Sequence, residues 1–327
     1  MKSFFLCLLI ALFLPARALA QDLSVTLLLE HESPSTWNQL LIAGLKRAEK
    51  ELGIQAHVII EENPDKQTNA FLQAAKSSNL VLVATDGFHE ILRDHAANFR
   101  EVSFGVIDAG IRAPNLSCIS FADEQAAFLA GACAALFVQH DPEACLGWLS
   151  GEEIPALRSM FYNFQEGAKL VSPSIRVIHG LAQSFGQPNH AKAETKRLLK
   201  NGVRVLVLAA GSGNIDALEE AKAAGIFVIG MDTDQKALYP KHVLTSITKA
   251  ADTAVFTLIQ DKVLGHFKGK EIEIYPLNKG VSLIPPSLSL GQKQPLIDRR
   301  LKELTHEIQA GNIQIKSLRQ RTLCNCL

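Results

Sequence analysis

The chain has 327 residues, with 33 Lys+Arg against 33 Asp+Glu, 47% hydrophobic and 6% aromatic. Zero formal charge gives no electrostatic reason to expect a nucleic-acid or anionic-membrane binder. So apolar a chain, only 20% charged and with ordinary counts of Pro (13) and Gly (21), is neither disordered nor collagen-like. At roughly 150 residues per domain, the length suggests two domains, each able to bury a core.

The first twenty residues read as a leader. Lys2 gives a short basic start, residues 4–14 are unbroken apolar, and Ala18-Leu19-Ala20 is an A-x-A cleavage site. A helix of that run rises only about 16 Å, too short for a hydrocarbon core of about 30 Å. Cleavage after Ala20 removes Lys2 and Arg17, leaving 31 basic against 33 acidic residues, a net charge near −2. The expected location is therefore the periplasm. Export permits disulfides. However, Cys118, Cys133 and Cys145 lie in apolar surroundings and read as small core residues. Cys324-Asn325-Cys326 reads as a loosely held end.

From residue 23 the pattern alternates apolar strands with amphipathic helices. Strands are expected over 23–29, 56–60, 80–84 and 102–107, with helices over 38–52, 63–77 and 88–98. The pattern then restarts. Strands fall at 117–121, 144–149, 176–181, 203–210, 227–231 and 243–246. Helices fall at 124–140, 156–172, 191–201, 214–224 and 252–264. Buried runs alternating with helices indicate parallel sheets, hence an α/β protein of two doubly wound lobes. Ligands of such sheets sit at the carboxyl ends of strands. The residues to weigh are therefore Glu30, Thr85-Asp86-Gly87, Asp108, Ala210-Gly211-Ser212-Gly213, Asp232 and Lys249.

Gly211-Ser212-Gly213-Asn214-Ile215-Asp216 follows a strand and opens a helix, with Asp232 about twenty residues on, which approximates a dinucleotide fingerprint. Asp216 stands where the third glycine belongs, and an acid in the first helical turn repels a pyrophosphate. Backbone donors for an ordinary polar ligand are the better reading. No H-E-x-x-H or G-x-S-x-G occurs, so neither a metal, a cofactor nor a catalytic nucleophile is expected. Aromatics are scarce, which draws attention to two in polar turns, Trp37 and Phe185. One in each lobe, they are candidates to clamp a flat ring, each contact contributing about 1–3 kcal/mol.

These residues fall in a series that resembles the basic membrane protein family of ABC-transporter substrate-binding proteins, whose members bind purine nucleosides. The matching segments begin with Trp37-Asn38-Gln39, Gly44-Leu45-Lys46-Arg47-Ala48-Glu49 and Val106-Ile107-Asp108. They continue with Phe128-Leu129-Ala130-Gly131, Ile154-Pro155, Ser184-Phe185 and Ala209-Ala210-Gly211. Val228 to Gln235, Leu244-Thr245-Ser246 and Lys249 follow, and residues 308–313 resemble the family's closing helix and strand.

The resemblance implies a type I periplasmic-binding fold with three crossings between lobes. It suggests lobe 1 as 21–123 plus 249–284, lobe 2 as 124–248 plus 285–316, and a tail over 317–327. It implies a purine held between Trp37 and Phe185, with Asn38 and Asp108 bonding the base. Asp232 would take the ribose hydroxyls, with Gly211 alongside and Lys249 keeping the carboxylate ionised. The expected partners are a small-molecule ligand and an ABC permease in the inner membrane, with no nucleic acid. The chain departs from the family pattern in three places. Trp37 stands where Phe is usual, Pro34 where an Asp is usual, and Met160 where an aromatic is common. Glu30 or Glu32 could replace the missing acid. The expected function is non-catalytic binding for an importer. The alternatives are a sensory binding protein for a membrane receptor and a nucleoside-cleaving enzyme.

Overall fold

A computed structural model describes residues 23–31, 35–84, 87–286 and 293–319. The expected leader, Glu32, Pro34, Thr85, Asp86, Cys324 and Cys326 lie outside these. In chain order the first elements are β1 (Ser24–Leu29), α1 (Thr36–Leu52), β2 (Gln55–Ile60), α2 (Pro64–Ser77), β3 (Leu80–Val83), α3 (Gly87–His95), β4 (Ser103–Ile107) and β5 (Leu116–Phe121). Next come α4 (Asp123–Val138), β6 (Cys145–Ser150), α5 (Pro155–Val171), β7 (Arg176–Leu181), α6 (Pro188–Lys200), β8 (Val203–Ala209), α7 (Asn214–Ala223), β9 (Phe227–Asp232) and β10 (Val243–Lys249). The chain closes with α8 (Ala251–Val263), β11 (Glu271–Tyr275), β12 (Val281–Leu283) and α9 (Gln294–Gln309).

The chain divides into two compact units. The first runs to Ser120 and adds Ala250–Ile274; the second is Phe121–Lys249 with the residues from Tyr275 onward. Its sheet in the first unit has the order β11-β5-β4-β3-β1-β2, and that of the second β12-β10-β9-β8-β6-β7. From β1 to β5 and from β6 to β10 every pairing is parallel. Counted within each unit, both sheets follow the doubly wound order 2-1-3-4-5, whose strand order reverses beside the first strand. The switch points are thus β1/β3 in one unit and β6/β8 in the other.

Hydrophobic patterning explains the strands. β3 and β4 are buried at every residue, which is why they read as continuous apolar runs. β2 and β7, at the sheet edges, are largely exposed or half-buried. Helix α4 is buried on nearly every side and is accordingly apolar all round. Local signals set the helix ends. Ser35 accepts the Asn38 N–H to cap α1, Gly53 closes it at φ 78°, and Asn63 caps α2 ahead of Pro64.

The boundaries differ from expectation: the first two junctions fall at 120/121 and 249/250, not 123/124 and 248/249, which puts Lys249 in the second unit. Antiparallel pairing of β12 with β10 draws residues 275–284 into the second unit, so the third junction falls at 274/275, not 284/285. The tail expected from 317 begins docked on the second unit. Ser317 donates to Glu124 Oε1 (2.7 Å), and the Leu318 N–H donates to Ser159 Oγ (2.9 Å). Beyond α9 the described residues form no strand, since Gly311 turns the chain at φ 77°. Cys118, Cys133 and Cys145 are buried core thiols, with burial pushing Cys118 and Cys133 up to about 12.

Candidate ligand-binding site

In the first unit the start of α1 is tied to the switch point. Asn38 Nδ2 donates to the His31 carbonyl (2.8 Å), just past β1, and Trp37 Nε1 donates to the Ala84 carbonyl (3.3 Å), just past β3. Both predicted residues therefore sit at the carboxyl ends of the two strands that flank the reversal. Asn38 is buried and Trp37 half-buried. Asp108 follows β4 on the same edge, its N–H held by the Ile119 carbonyl at 2.7 Å, with φ 66°.

The second unit repeats the arrangement. Asp232 ends β9, the strand in the same place in its sheet as β4, and it too is left-handed, at φ 70°. The Thr233 N–H bonds the Met231 carbonyl (2.9 Å), making Asp232 the centre of a γ-turn with the φ of the rarer, strained form. Non-glycine residues at positive φ are uncommon and concentrate where a side chain must be aimed. Two aspartates thus stand at equivalent strand ends, each with a left-handed φ uncommon outside glycine.

Phe185 has a built seat on that second edge. Gly151 follows β6 and Gly211 follows β8, the pair flanking the switch point. A Cβ on Gly151 would overlap the Phe185 ring, so the ring lies directly on backbone. On Gly211, at φ 60°, a Cβ would come within 2.7 Å of the Phe185 carbonyl oxygen. That oxygen accepts from both the Ser212 N–H (3.0 Å) and the Ser212 hydroxyl (2.8 Å). The Ser184 N–H donates to the Gly151 carbonyl at 2.9 Å. The glycines of the Gly211-Ser212-Gly213 turn thus serve packing: Gly211 accommodates Phe185, and Gly213 lies against Ala191. Replacing Gly151 with Ala should unseat the ring. A matching loss of ligand affinity in Gly151→Ala and Phe185→Ala, about 1–3 kcal/mol, is expected by calorimetry.

Beneath this seat, Ser150 Oγ accepts Trp148 Nε1 (3.0 Å) and meets His179 Nε2 (3.0 Å). Phe161 stacks on the His179 ring at 4.7 Å, and burial lowers the His179 pKa, favouring the neutral ring. Ser150 is 2% exposed, so this Ser–His contact braces β6 against β7 and presents no accessible nucleophile. Its sequence showed only a Ser-Gly pair lacking a nucleophile motif. Among the described residues no group of three or more His, Cys, Asp or Glu could hold a metal ion.

Lys249 ends β10, one residue past Thr248, which is in register with Asp232. Its ammonium lies 2.6 Å from Asp123 Oδ2, a carboxylate that sequence reasoning did not single out. The second unit therefore gathers Lys249, Asp232, Gly211 and Phe185 along one carboxyl edge, and the first gathers Asp108, Trp37 and Asn38 along its own.

Two doubly wound units joined by three chain crossings, with polar residues at the strand ends, are an architecture found among solute-binding proteins. A solute-binding protein from Aeropyrum pernix K1 shares this fold, with a TM-score of 0.80 at 23% identity over 90% of this chain and 94% of its own. A carbohydrate-transporter binding protein from Agrobacterium radiobacter, solved with D-arabinose, has a TM-score of 0.65 at 16% identity, covering 85% and 98%. The family of PnrA-like ABC transporter substrate-binding proteins, Bmp, matches residues 33–315, and this chain belongs to it. Basic membrane protein A of Borreliella afzelii is 26% identical over 255 residues, 75% of this chain and 77% of that protein. Such relatives are solute-binding proteins, not enzymes, and membership implies a small-molecule ligand and a membrane permease.

Proposed function

We propose that this protein captures a purine nucleoside outside the inner membrane and presents it to an ABC importer. The reading is carried by the seat of Phe185, a ring laid on glycine backbone at the switch point and fixed through its carbonyl. Stacking on such a face tolerates any base, because every base offers a π-face. Trp37, on the switch-point edge of the other unit, supplies the second ring. Asn38 and Asp108 bond the base. Asp232 accepts both O–H groups of the ribose diol, a carboxylate suited to two charge-assisted bonds. Lys249 adds a cation beside it. Contacts from both units favour whichever arrangement of the units lets both reach the ligand, and that form is what a permease would recognise. No described helix is long and apolar enough to cross a membrane.

Calorimetry of the protein lacking residues 1–20 tests this with inosine, adenosine, guanosine, free adenine and ribose. Nucleosides are expected to bind at micromolar Kd or tighter, with base and sugar each far weaker. Trp37→Ala should cost about 1–3 kcal/mol and Trp37→Phe less, since a ring remains. Chromatography of the same mixtures should recover intact nucleoside. Absence of binding by every nucleoside sinks the reading, and release of free base would move it to the cleaving alternative.

A further inference from the structure

The last described residues are fastened one after another into the second unit. Asn163 Nδ2 donates to the Lys316 carbonyl (2.7 Å), Ser317 and Leu318 bond Glu124 and Ser159, and Arg319 ends on Asp123. Arg319 Nη2 lies 2.7 Å from both Asp123 oxygens, and its Nε 3.7 Å from Glu124 Oε1. Asp123 is fully buried, and its Oδ2 is the atom that also holds the Lys249 ammonium at 2.6 Å. Two cations and two carboxylates form a cluster neutral in sum. It lies beside the residues where the chain enters and leaves this unit. The Phe121 and Tyr275 rings meet edge-on at 5.9 Å, and Lys249 Nζ lies 5.9 Å over Phe121.

We propose that Arg319, acting through Asp123, is a positioning residue for Lys249 and thereby sets ligand affinity; the link to affinity rests on Lys249 contacting the ligand. A lysine ammonium on a four-carbon stem has little intrinsic preference for one place. The planar guanidinium, held at the far end by the docked tail, fixes the carboxylate's rotation, and the carboxylate fixes the ammonium. Without Arg319 the Asp123 carboxylate loses the contact that fixes its rotation, and the ammonium bound to its Oδ2 moves with it. Arg319, remote in sequence from every strand end, then belongs to the binding machinery, and the rest of the segment only anchors the tail.

Two readouts on the full mature chain test this. In lysine-15N spectra, the Lys249 ammonium resonance is identified by its loss in Lys249→Met. Arg319→Gln should shift or broaden it, Arg319→Lys should restore it in part, and Ser317→Ala should leave it in place. Titration with inosine should give about tenfold weaker binding in Arg319→Gln, the order of one hydrogen bond to a charged group, and wild-type affinity in Ser317→Ala. A Lys249 resonance unmoved in both Arg319 variants overturns the proposal, as does a wild-type spectrum from which Lys249→Met removes no signal. Lower melting temperature with unchanged inosine affinity would reduce Arg319 to a structural tie and also overturn it. If wild type fails to bind inosine while Arg319→Gln moves the resonance, the nucleoside reading fails and the positioning stands.

Discussion

Replacing Asp232 with Asn is expected to weaken nucleoside binding by about 3 kcal/mol, more than a hundredfold in Kd, with little loss of stability. The size follows from chemistry. A carboxylate accepts both hydroxyl protons of a diol, whereas an amide offers one acceptor and points two donors at the other hydroxyl. Bonds to an ionised acceptor are worth about 1.5–3 kcal/mol each, and the mismatch adds the desolvation of an unpaired group. Asn is the informative substitution because Asp232 sits at φ 70°. Asn tolerates that region, whereas Ala would add backbone strain of about 1–2 kcal/mol to the loss of contact. Lys270→Asn, at φ 64° and outside the proposed site, controls for effects of the conformation alone. Calorimetry with inosine, beside urea denaturation of the same samples, separates binding from folding. Wild-type affinity in Asp232→Asn would remove the ribose from this strand end.

Much of this site was legible in the sequence because parallel sheets write themselves as continuous apolar runs, and the residues ending those runs are countable. Asp108, Asp232 and Lys249 were singled out as strand ends that way, and the structure puts them at or just past those ends. Edge and closing elements were not. β11 alternates charged and apolar residues over Glu271–Tyr275, and β12 is three residues long, so neither gave a continuous run. Missing β12 also misplaced the third junction. Phe185 stood out as an aromatic in a turn, but its seat did not. Gly151 gains meaning only when β6 and β8 become neighbours. The pairing of Asp123 with both Lys249 and Arg319 joins residues far apart along the chain, and no local spacing announces it. Two glycines in the family-like segments, Gly44 and Gly131, prove to be packing residues. Gly44 lets α1 meet the backbone of α8 at Asp252, where Arg47 also lies 3.5 Å from the Asp252 carboxylate.

Gly131→Ala is expected to destabilise the second unit by about 3 kcal/mol, at the upper end of the cost of overpacking. The close contact between α4 and α5 is reciprocal. A Cβ on Gly131 would overlap the Phe164 carbonyl, and one on Gly167 would overlap that of Phe128. What blocks the added methyl is helix backbone, which cannot rotate aside as a side chain would, so relief requires the two helices to separate. Separation would break packing elsewhere, because α4 is buried on nearly every side and Phe164 lies 5.5 Å from the fully buried Trp148. The two tryptophans allow the effect to be localised, since Trp37 belongs to the first unit and Trp148 to the second. In a Trp37→Phe background, Trp148 fluorescence reports the second unit alone, and its urea midpoint should fall in Gly131→Ala with the m-value kept. Gly167→Ala should behave alike, and the double variant should cost less than the two losses together, because parting the helices once relieves both overlaps. A stability within about 0.5 kcal/mol of the parent would mean that α4 and α5 tolerate separation, and that the glycines serve something other than their contact.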